Sequence, residues 1–321
     1  MKVSIVIPTF NRGYIIEDAL RSVLAQEYRD FEVLVVDDGS ADNTQDIVKG
    51  LGCDKVRYLR HDHNRGCSAA YNTGIREATG QVISFLDSDD IWKPSYLDRQ
   101  VSFLTRHPDA DVVFCDTEIL DGNVSFSLMS FLRAFPALMR DDPTATEHTF
   151  SGRQMYLCLL EEVPIKPTAV VIRRPALERS GLFDQAWPSG TDWDLFLRLS
   201  RAVACFGYIN QALVIQRRTP DATHQICREK DKLFLLSVFL KEKAAAAAKN
   251  DREALSAVNT GLCSHYNSLA WTYLESGNGR AALATYLRGF KETLHPKLMR
   301  KFISALIRLG ATSKWQNKFA Q

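Results

Sequence analysis

The stretch FLDSDDIW (85–92) sets Asp87, Asp89 and Asp90 directly behind the apolar run GQVISFL. Like charges held this close repel one another, and two arrangements relieve them: a solvated turn, or a hard cation that prefers carboxylate oxygens and phosphates. Two earlier apolar runs also end in polar boxes: VSIVI (3–7) in PTFN (8–11), and FEVLVV (31–36) in DDGS (37–40). Asp38 suits a base reader, because a carboxylate accepts the imino N–H of uracil or thymine, although Gly39 and Ser40 beside it also favour a plain turn. In HDHNRG (61–66), Asn64 and Arg65 are residue types that approach a diphosphate or a base, or simply sit in an exposed loop. Farther on, GTDWDLFLRLS (190–200) puts Asp192 and Asp194 ahead of Leu195, Leu197 and Leu199, so either acid serves as a proton acceptor or as a helix cap.

These boxes need a scaffold, and the spacing supplies one. Between the first two apolar runs lies YIIEDALRSVLAQ, whose Ile15, Ile16, Ala19, Leu20, Val23 and Leu24 recur at helical spacing. NTQDIVKGL and SAAYNTGIREA follow the next two runs, FEVLVV and VRYL. Near-continuous apolar strands alternating with helices predict a mostly parallel sheet flanked by helices and joined by right-handed crossovers, an α/β, Rossmann-like layout. In such a sheet ligands gather at the carboxyl ends of the strands, so PTFN, DDGS and DSDD are expected along one edge. A Gly-X-Gly-X-X-Gly turn and a Walker-type lysine loop are both missing from the sequence after the first strand. A bound nucleotide would therefore need its phosphates held by another partner, such as Mn2+ or Mg2+ on carboxylates.

Composition narrows the class further. The 321 residues are 45% hydrophobic and 24% charged, with a net charge of +2, which is ordinary for a globular protein and gives no global attraction to nucleic acid. The cysteines, Cys53, Cys67, Cys115, Cys158, Cys205, Cys227 and Cys263, number 7 and never form a Cys-X-X-Cys pair, so neither a disulfide framework nor a zinc knuckle is expected and a reducing compartment is. Pro8 breaks the N-terminal apolar stretch too early for a signal-peptide core or a membrane span, so that stretch reads as the first strand.

The ordered boxes VSIVIPTFNR, VVDDGSADNT, HNRG, AYNTGI and GQVISFLDSDDIWKP resemble the nucleotide-sugar half of family 2 glycosyltransferases of the GT-A fold. RRPALERSGLFDQAWPSGTDWDLFLRLSR (173–201) is similar to their acceptor half, and the resemblance covers roughly residues 1–218. It implies a GT-A domain over 1–226, with a nucleotide-sugar half at 1–116 and an acceptor half at 117–226, followed by a helical region at 227–321. It also implies transfer of a sugar from a nucleotide-diphosphate sugar, a uridine diphosphate sugar first among them, to a hydroxyl of a saccharide or lipid-linked acceptor. Inversion by single displacement is expected, as is work in polysaccharide biosynthesis. Asp89 would be the direct metal ligand, with Asp87 on the ribose or a metal-bound water, Ser88 between them and Asp90 behind. Pro8, Thr9, Phe10 and Asn11 would line the nucleotide, with Phe10 over the base or, alternatively, in the core. Asp192 aligns with the acid of the family's Glu-Asp box and is the expected base, with Asp194 as the other choice.

Departures are visible too: Tyr71 stands where the family often has arginine, and Thr191 where it has glutamate. His224 is a further candidate metal ligand, and Arg217 and Arg218 are candidates for the diphosphate, although Thr219 interrupts the expected spacing. Trp92, Trp187 and Trp193 are candidates either for stacking on a sugar or for scaffold. The same boxes would also fit a catalytically silent sugar-nucleotide-binding module. A nucleotidyltransferase fits less well, since PTFNRGY is a poor glycine-rich loop.

Residues 125–150 show no regular pattern and read as an acceptor-side lid, whereas the chain beyond Cys227 reads as helical. YNSLAWTYLESGNGRAALATYLRGFKETLHPK resembles one tetratricopeptide-type hairpin, which must pack on the domain or on a second copy of the chain. The last stretch interleaves Lys297, Arg300, Lys301, Arg308, Lys314 and Lys318 with Leu298, Phe302, Ile303, Leu306 and Ile307. That pattern suits either a docked helix with a solvated basic face or contact with an anionic membrane; with the reducing compartment the cysteines imply, the expectation is a cytoplasmic chain, peripheral at the inner face of the membrane if that contact forms.

Overall fold

A computed structural model describes residues 1–187, 190–218 and 229–316. Its strands are β1 (Val3–Thr9), β2 (Phe31–Asp37), β3 (Val56–Arg60), β4 (Val82–Phe85), β5 (Ile91–Trp92), β6 (Ala110–Asp121), β7 (Val124–Ser127), β8 (Glu147–Ser151), β9 (Val170–Arg173) and β10 (Cys205–Arg218). The helices are α1 (Ile16–Leu24), α2 (Thr44–Gly50), α3 (Cys67–Glu77), α4 (Tyr96–Arg106), α5 (Ala134–Leu138), α6 (Gly152–Leu159), α7 (Arg174–Ser180), α8 (Thr191–Ala202), α9 (Glu229–Ala248), α10 (Arg252–Glu275), α11 (Gly279–Thr293) and α12 (Pro296–Gln316). Two compact units result, one of residues 1–159 and 163–223, the other of 160–162 and 224–321.

The first unit is built on one sheet in the order β3-β2-β1-β4-β9-β6-β10-β5, with β7 on β6 and β8 on β10. Strands β3, β2, β1 and β4 run parallel, as the continuous apolar runs require: every residue of β1 and β2 is buried. The sheet is less uniform than its first half suggests. Strand β9 enters antiparallel between β4 and β6, after which β6 and β10 resume the original direction. Helix α1 buries Ile16, Ala19, Leu20 and Val23 on this sheet, the stripe that the spacing marked out.

Residues 125–150 are more ordered than expected. Strand β7 pairs with β6, β8 pairs with β10, and Phe135 of α5 is fully buried against Phe114, Phe150 and Tyr208. The sequence carries no sign of this order because β7, β8 and α5 are short and meet residues distant in the chain, and β7 itself is largely exposed.

The second unit is helical. Asp251 and Asn278 cap α10 and α11 by accepting the N–H groups of Ala254 (3.0 Å) and Ala281 (3.1 Å). The hairpin turn falls at Ser276–Asn278, as the repeat-like spacing implies, but its first helix reaches back to Arg252, well beyond one repeat. Gly289 is where the helices close: a Cβ there would lie 2.6 Å from the Tyr266 ring and 2.8 Å from Leu298. Tyr286 and Ala282 are buried, whereas Ile303, Leu306 and Ile307 of α12 remain 51%, 44% and 68% exposed.

Candidate active site

Because β1 to β4 are parallel, the loops after them meet along one edge, where the polar boxes were expected. Pro8 sits inside a central strand without breaking it. Along β1 the even-numbered residues face β4, as the bond from the Leu86 N–H to the Val6 carbonyl shows, and β4 pairs with β1 only as far as Val6. Pro8 therefore lies past the last β1–β4 pair, Val6 with Phe85, where its missing N–H removes no bond from the ladder. Asn11 follows in the left-handed region (φ 53°) and clasps two loops together: its N–H donates to Ser40 Oγ (2.8 Å) and its Oδ1 accepts the Ala41 N–H (2.8 Å). Thr9 is buried with its hydroxyl unpartnered, and Phe10 is 43% exposed, which removes the core alternative for that ring.

Asp38 is buried beneath the next loop. Its Oδ1 accepts from the Arg65 N–H (2.9 Å) and bonds His61 Nδ1 (2.7 Å), and its Oδ2 accepts from the Gly66 N–H (2.7 Å). The other ring nitrogen of His61 meets Thr73 Oγ1 at 2.9 Å. Asp38 thus spends most of its acceptor capacity on the 61–66 loop, and a base would have to use what remains on Oδ2. Gly39 lets the 61–66 loop close over Asp38: it lies at φ +85°, and a Cβ there would come within 3.0 Å of the His63 backbone. The side chains of Asn64 and Arg65 are exposed.

The acidic box closes the edge. Asp90 donates its N–H to the Asp87 carbonyl (3.0 Å), a turn that aims the three side chains differently. Asp87 Oδ1 accepts the Tyr71 hydroxyl (2.5 Å). Burial and the neighbouring Asp89 charge push Asp87 up to about 6, with Asp192 adding to the repulsion while Tyr71 and Lys166 oppose it. Asp89 is faced by Arg12 at 3.7 Å. Asp90 is 1% exposed, accepts the Arg217 N–H (3.2 Å) and leaves Oδ2 unpartnered. Burial, then the charges of Asp87 and Asp89, hold Asp90 well above the usual carboxylate range. Arg217 braces the loop by donating Nε to the Asp89 carbonyl (2.5 Å) and pairing with Asp18 (2.7 Å), while Arg218 pairs with Asp121 (3.0 Å).

No group of three or more His, Cys, Asp or Glu that could hold a metal occurs among the described residues, and His224 lies outside them. Asp87 and Asp89 supply hard oxygens from one loop. Such a pair suits a cation whose remaining ligands are water and substrate phosphate.

The two acids of α8 separate cleanly. Asp194 is bound by Arg198, through Nε (2.9 Å) and the terminal nitrogen (2.6 Å), and the same guanidinium donates to the carbonyls of Ser180, Gly181 and Leu182. Asp192 has no protein hydrogen bond or ion pair among the described residues, and the residue at the cap is Gly190, with no side-chain cap. Its charge reaches Asp87 across the edge. Trp193 is buried with its N–H on the Leu159 carbonyl (2.7 Å), and Trp92 is buried with its N–H on the Thr168 carbonyl (2.7 Å), so both are scaffold. Trp187 is partly exposed, its ring 6.2 Å from that of Trp193.

The edge therefore brings together Pro8, Thr9, Phe10, Asn11, Asp38, Asp87, Ser88 and Asp89, with Asp192 in electrostatic reach. Sequence reasoning passed over His61, Arg12 and Lys166. His61 and Arg12 lie inside boxes already singled out, and their polar types were the available signal; Lys166 sits in VPIKPTAV, which carries none.

The model of the glycosyl transferase family 2 matches residues 4–179. An uncharacterized glycosyltransferase of Rickettsia typhi is 30% identical over 223 residues, 68% of this chain and 64% of the relative, so the matched part spans less than two thirds of that protein. The UDP-Glc:alpha-D-GlcNAc-diphosphoundecaprenol beta-1,3-glucosyltransferase of Escherichia coli is 36% identical over 121 residues, 38% of this chain and 47% of that one. Among solved structures, S. aureus TarS 1-349 in complex with UDP-GlcNAc superposes with a TM-score of 0.60 at 17% identity, covering 96% of this chain and 92% of that one. The mannosyltransferase from Pyrobaculum calidifontis in complex with GDP-Man and Mn2+ gives 0.55 at 20% identity, covering 98% and 87%.

Proposed function

The chain belongs to glycosyl transferase family 2 and has the GT-A fold, and from that premise we propose that it transfers a sugar from a uridine diphosphate sugar to a hydroxyl of a saccharide or lipid-linked acceptor. The observation that carries the reading is the Asp192 carboxylate, without a protein partner among the described residues, within electrostatic reach of Asp87 at the strand edge. Asp192 takes the proton of the acceptor hydroxyl as that oxygen attacks the anomeric carbon, and the nucleoside diphosphate leaves from the opposite face, which inverts the configuration. Asp192 suits this role because it stands on the first turn of α8 and has no protein hydrogen bond or ion pair among the described residues to occupy its carboxylate.

Asp89 and Asp87 would hold Mn2+ or Mg2+, which offsets negative charge on the departing diphosphate. The Mn2+ in the Pyrobaculum calidifontis mannosyltransferase structure supports that assignment. Phe10 covers the base and the remaining acceptor site of Asp38 reads its imino N–H, with Thr9, Asn11, Asn64 and Arg65 around the ribose and diphosphate. Residues 1–116 form the donor half, 117–226 the acceptor half and 227–321 an appended helical region.

A lipid-linked acceptor is supported by the E. coli relative, whose name specifies a diphosphoundecaprenol substrate. No helix among the described residues is long and apolar enough to cross a membrane. The exposed apolar residues of α12, flanked by Lys297, Arg300, Lys301 and Arg308, form the surface that meets the anionic cytoplasmic leaflet.

The test is thermal stability against a panel of nucleoside diphosphates and their sugars with Mn2+, Mg2+ or chelator, alongside Asp89→Ala. A metal-dependent rise confined to uridine compounds and lost in the variant is expected. No shift with any nucleotide would remove the transferase reading. A shift with no sugar transfer to any acceptor, and so no nucleoside diphosphate released, would leave a binding module in its place.

A further inference from the structure

The position that departs from the family's arginine lies at the centre of the site's support. We infer that Tyr71, backed by Asn72, is a positioning residue that aims Asp87 and ties it to the segment from which the helix of Asp192 is held. The inference rests on the transferase reading above.

Three observations meet here. The Tyr71 ring is buried and clamped, stacked on Phe183 (4.6 Å, 16°) and edge-on to Phe85 (5.1 Å, 81°), and its hydroxyl, which also lies beside the Cys67 thiol, donates to Asp87 Oδ1. Asn72, the next residue of α3, is also buried and binds both backbone polar groups of Phe183: its Nδ2 donates to the carbonyl (2.8 Å) and its Oδ1 accepts the N–H (2.9 Å). Immediately before Phe183, the carbonyls of Ser180, Gly181 and Leu182 accept from Arg198 of α8, which Asp194 holds in turn. A continuous path therefore runs from Asp87 through the Tyr71 hydroxyl and the adjoining Asn72 to the Phe183 backbone, and from the carbonyls just before it through Arg198 to the helix that carries Asp192.

The chemistry of the substitution fits this role. An arginine beside Asp87 would neutralise it, whereas a phenol is a neutral donor that fixes one oxygen and leaves the negative charge and Oδ2 available to a cation. Tyrosine also fills the space between Phe85 and Phe183 that a guanidinium would leave polar.

Tyr71→Phe keeps the clamped ring and removes only the donor. With uridine diphosphate as probe, the Mn2+ concentration giving half the maximal thermal shift should rise about tenfold, the weight of one hydrogen bond to a charged group. The melting temperature without ligand should stay within about 2 °C of the parent, while Tyr71→Leu, which also removes the ring, lowers it by several degrees. If the parent protein shows no Mn2+-dependent shift with any nucleotide, the transferase reading fails and this inference with it. If the parent responds and Tyr71→Phe needs the same Mn2+ concentration, the inference fails alone. If Tyr71→Phe melts as low as Tyr71→Leu, the hydroxyl is a folding element and the positioning role is refuted.

Discussion

Replacing Asp192 by asparagine should separate chemistry from binding. The side chain has no protein partner among the described residues and does not cap α8, so an amide of the same size costs no packing and breaks no bond. Removing its charge relieves part of the repulsion on Asp87, so stability and metal-dependent nucleotide binding should hold or rise slightly. Loss of a positioned base typically slows a reaction by about 10²–10⁴-fold, or roughly 3–5 kcal/mol of barrier. The expected result is therefore a fall in kcat of about that size, with the donor KM changed by no more than about threefold.

Asp194→Asn is the counterpart. It weakens the clasp on Arg198, whose contacts of 2.9 and 2.6 Å mark a partly buried, charge-assisted pair, and should cost about 1 kcal/mol, or about 2–4 °C for a unit of this size. Its kcat should stay within about tenfold of the parent. Release of nucleoside diphosphate with a lipid-linked glycan acceptor measures both variants. An Asp192→Asn enzyme that keeps more than about a tenth of its turnover while Asp194→Asn loses a hundredfold would reverse the two roles. If both variants remain active, neither acid of α8 is the base.

Two further predictions rest on features outside the reacting groups. Glu32 is buried, which alone would raise it, but bonds from Ser4, from the Thr79 hydroxyl and N–H, and the charge of Lys2 bring it down to about 2. A carboxylate held below its unfolded value stabilises the fold above about pH 4.5 and loses that contribution as pH falls toward 2. Glu32→Gln should therefore lower the melting temperature at pH 7 and converge with the parent near pH 2.5; a constant difference across that range would refute the charge argument. For α12, co-sedimentation with vesicles should show binding to phosphatidylglycerol-containing bilayers, weak binding to phosphatidylcholine, and release by 0.5 M salt. Each of its four well-placed basic residues contributes about 1 kcal/mol near an anionic surface. Ile303→Asp with Ile307→Asp should abolish the binding, and equal partition to both lipids would refute the membrane assignment.

The fold was most legible where the information is local. Strands β1 and β2 are buried on both faces and therefore read as unbroken apolar runs, and the loops after them had to share an edge once the strands were parallel. The antiparallel entry of β9 was not legible, because VVIR carries no sign of its neighbours' direction; only the long-range pairing with β4 and β6 decides it. The same division runs through the site. Acids were found because crowded charge at the end of an apolar run is conspicuous, while the groups that aim them escaped. Tyr71 read only as a missing arginine, and His61 only as part of a polar loop, since their meaning lies in bonds to Asp87 and Asp38, 16 and 23 residues away.

That division follows from what each kind of residue costs the fold. Asp87, Asp89 and Asp90 oppose folding: one is raised by burial and repulsion, and another is buried with an oxygen unpartnered. An arrangement of this kind persists only where the surroundings over-determine it. Here Tyr71 holds the first acid, Arg12 faces the second, and Arg217 grips the backbone carbonyl of the second and the carboxylate of the third while pairing with Asp18. A solvated turn would need none of these partners, because water would satisfy the carboxylates at no structural cost. The braces therefore show that FLDSDDIW ends its strand in a held acidic cluster and not in a solvated turn, which is the arrangement the proposed cation and diphosphate would use.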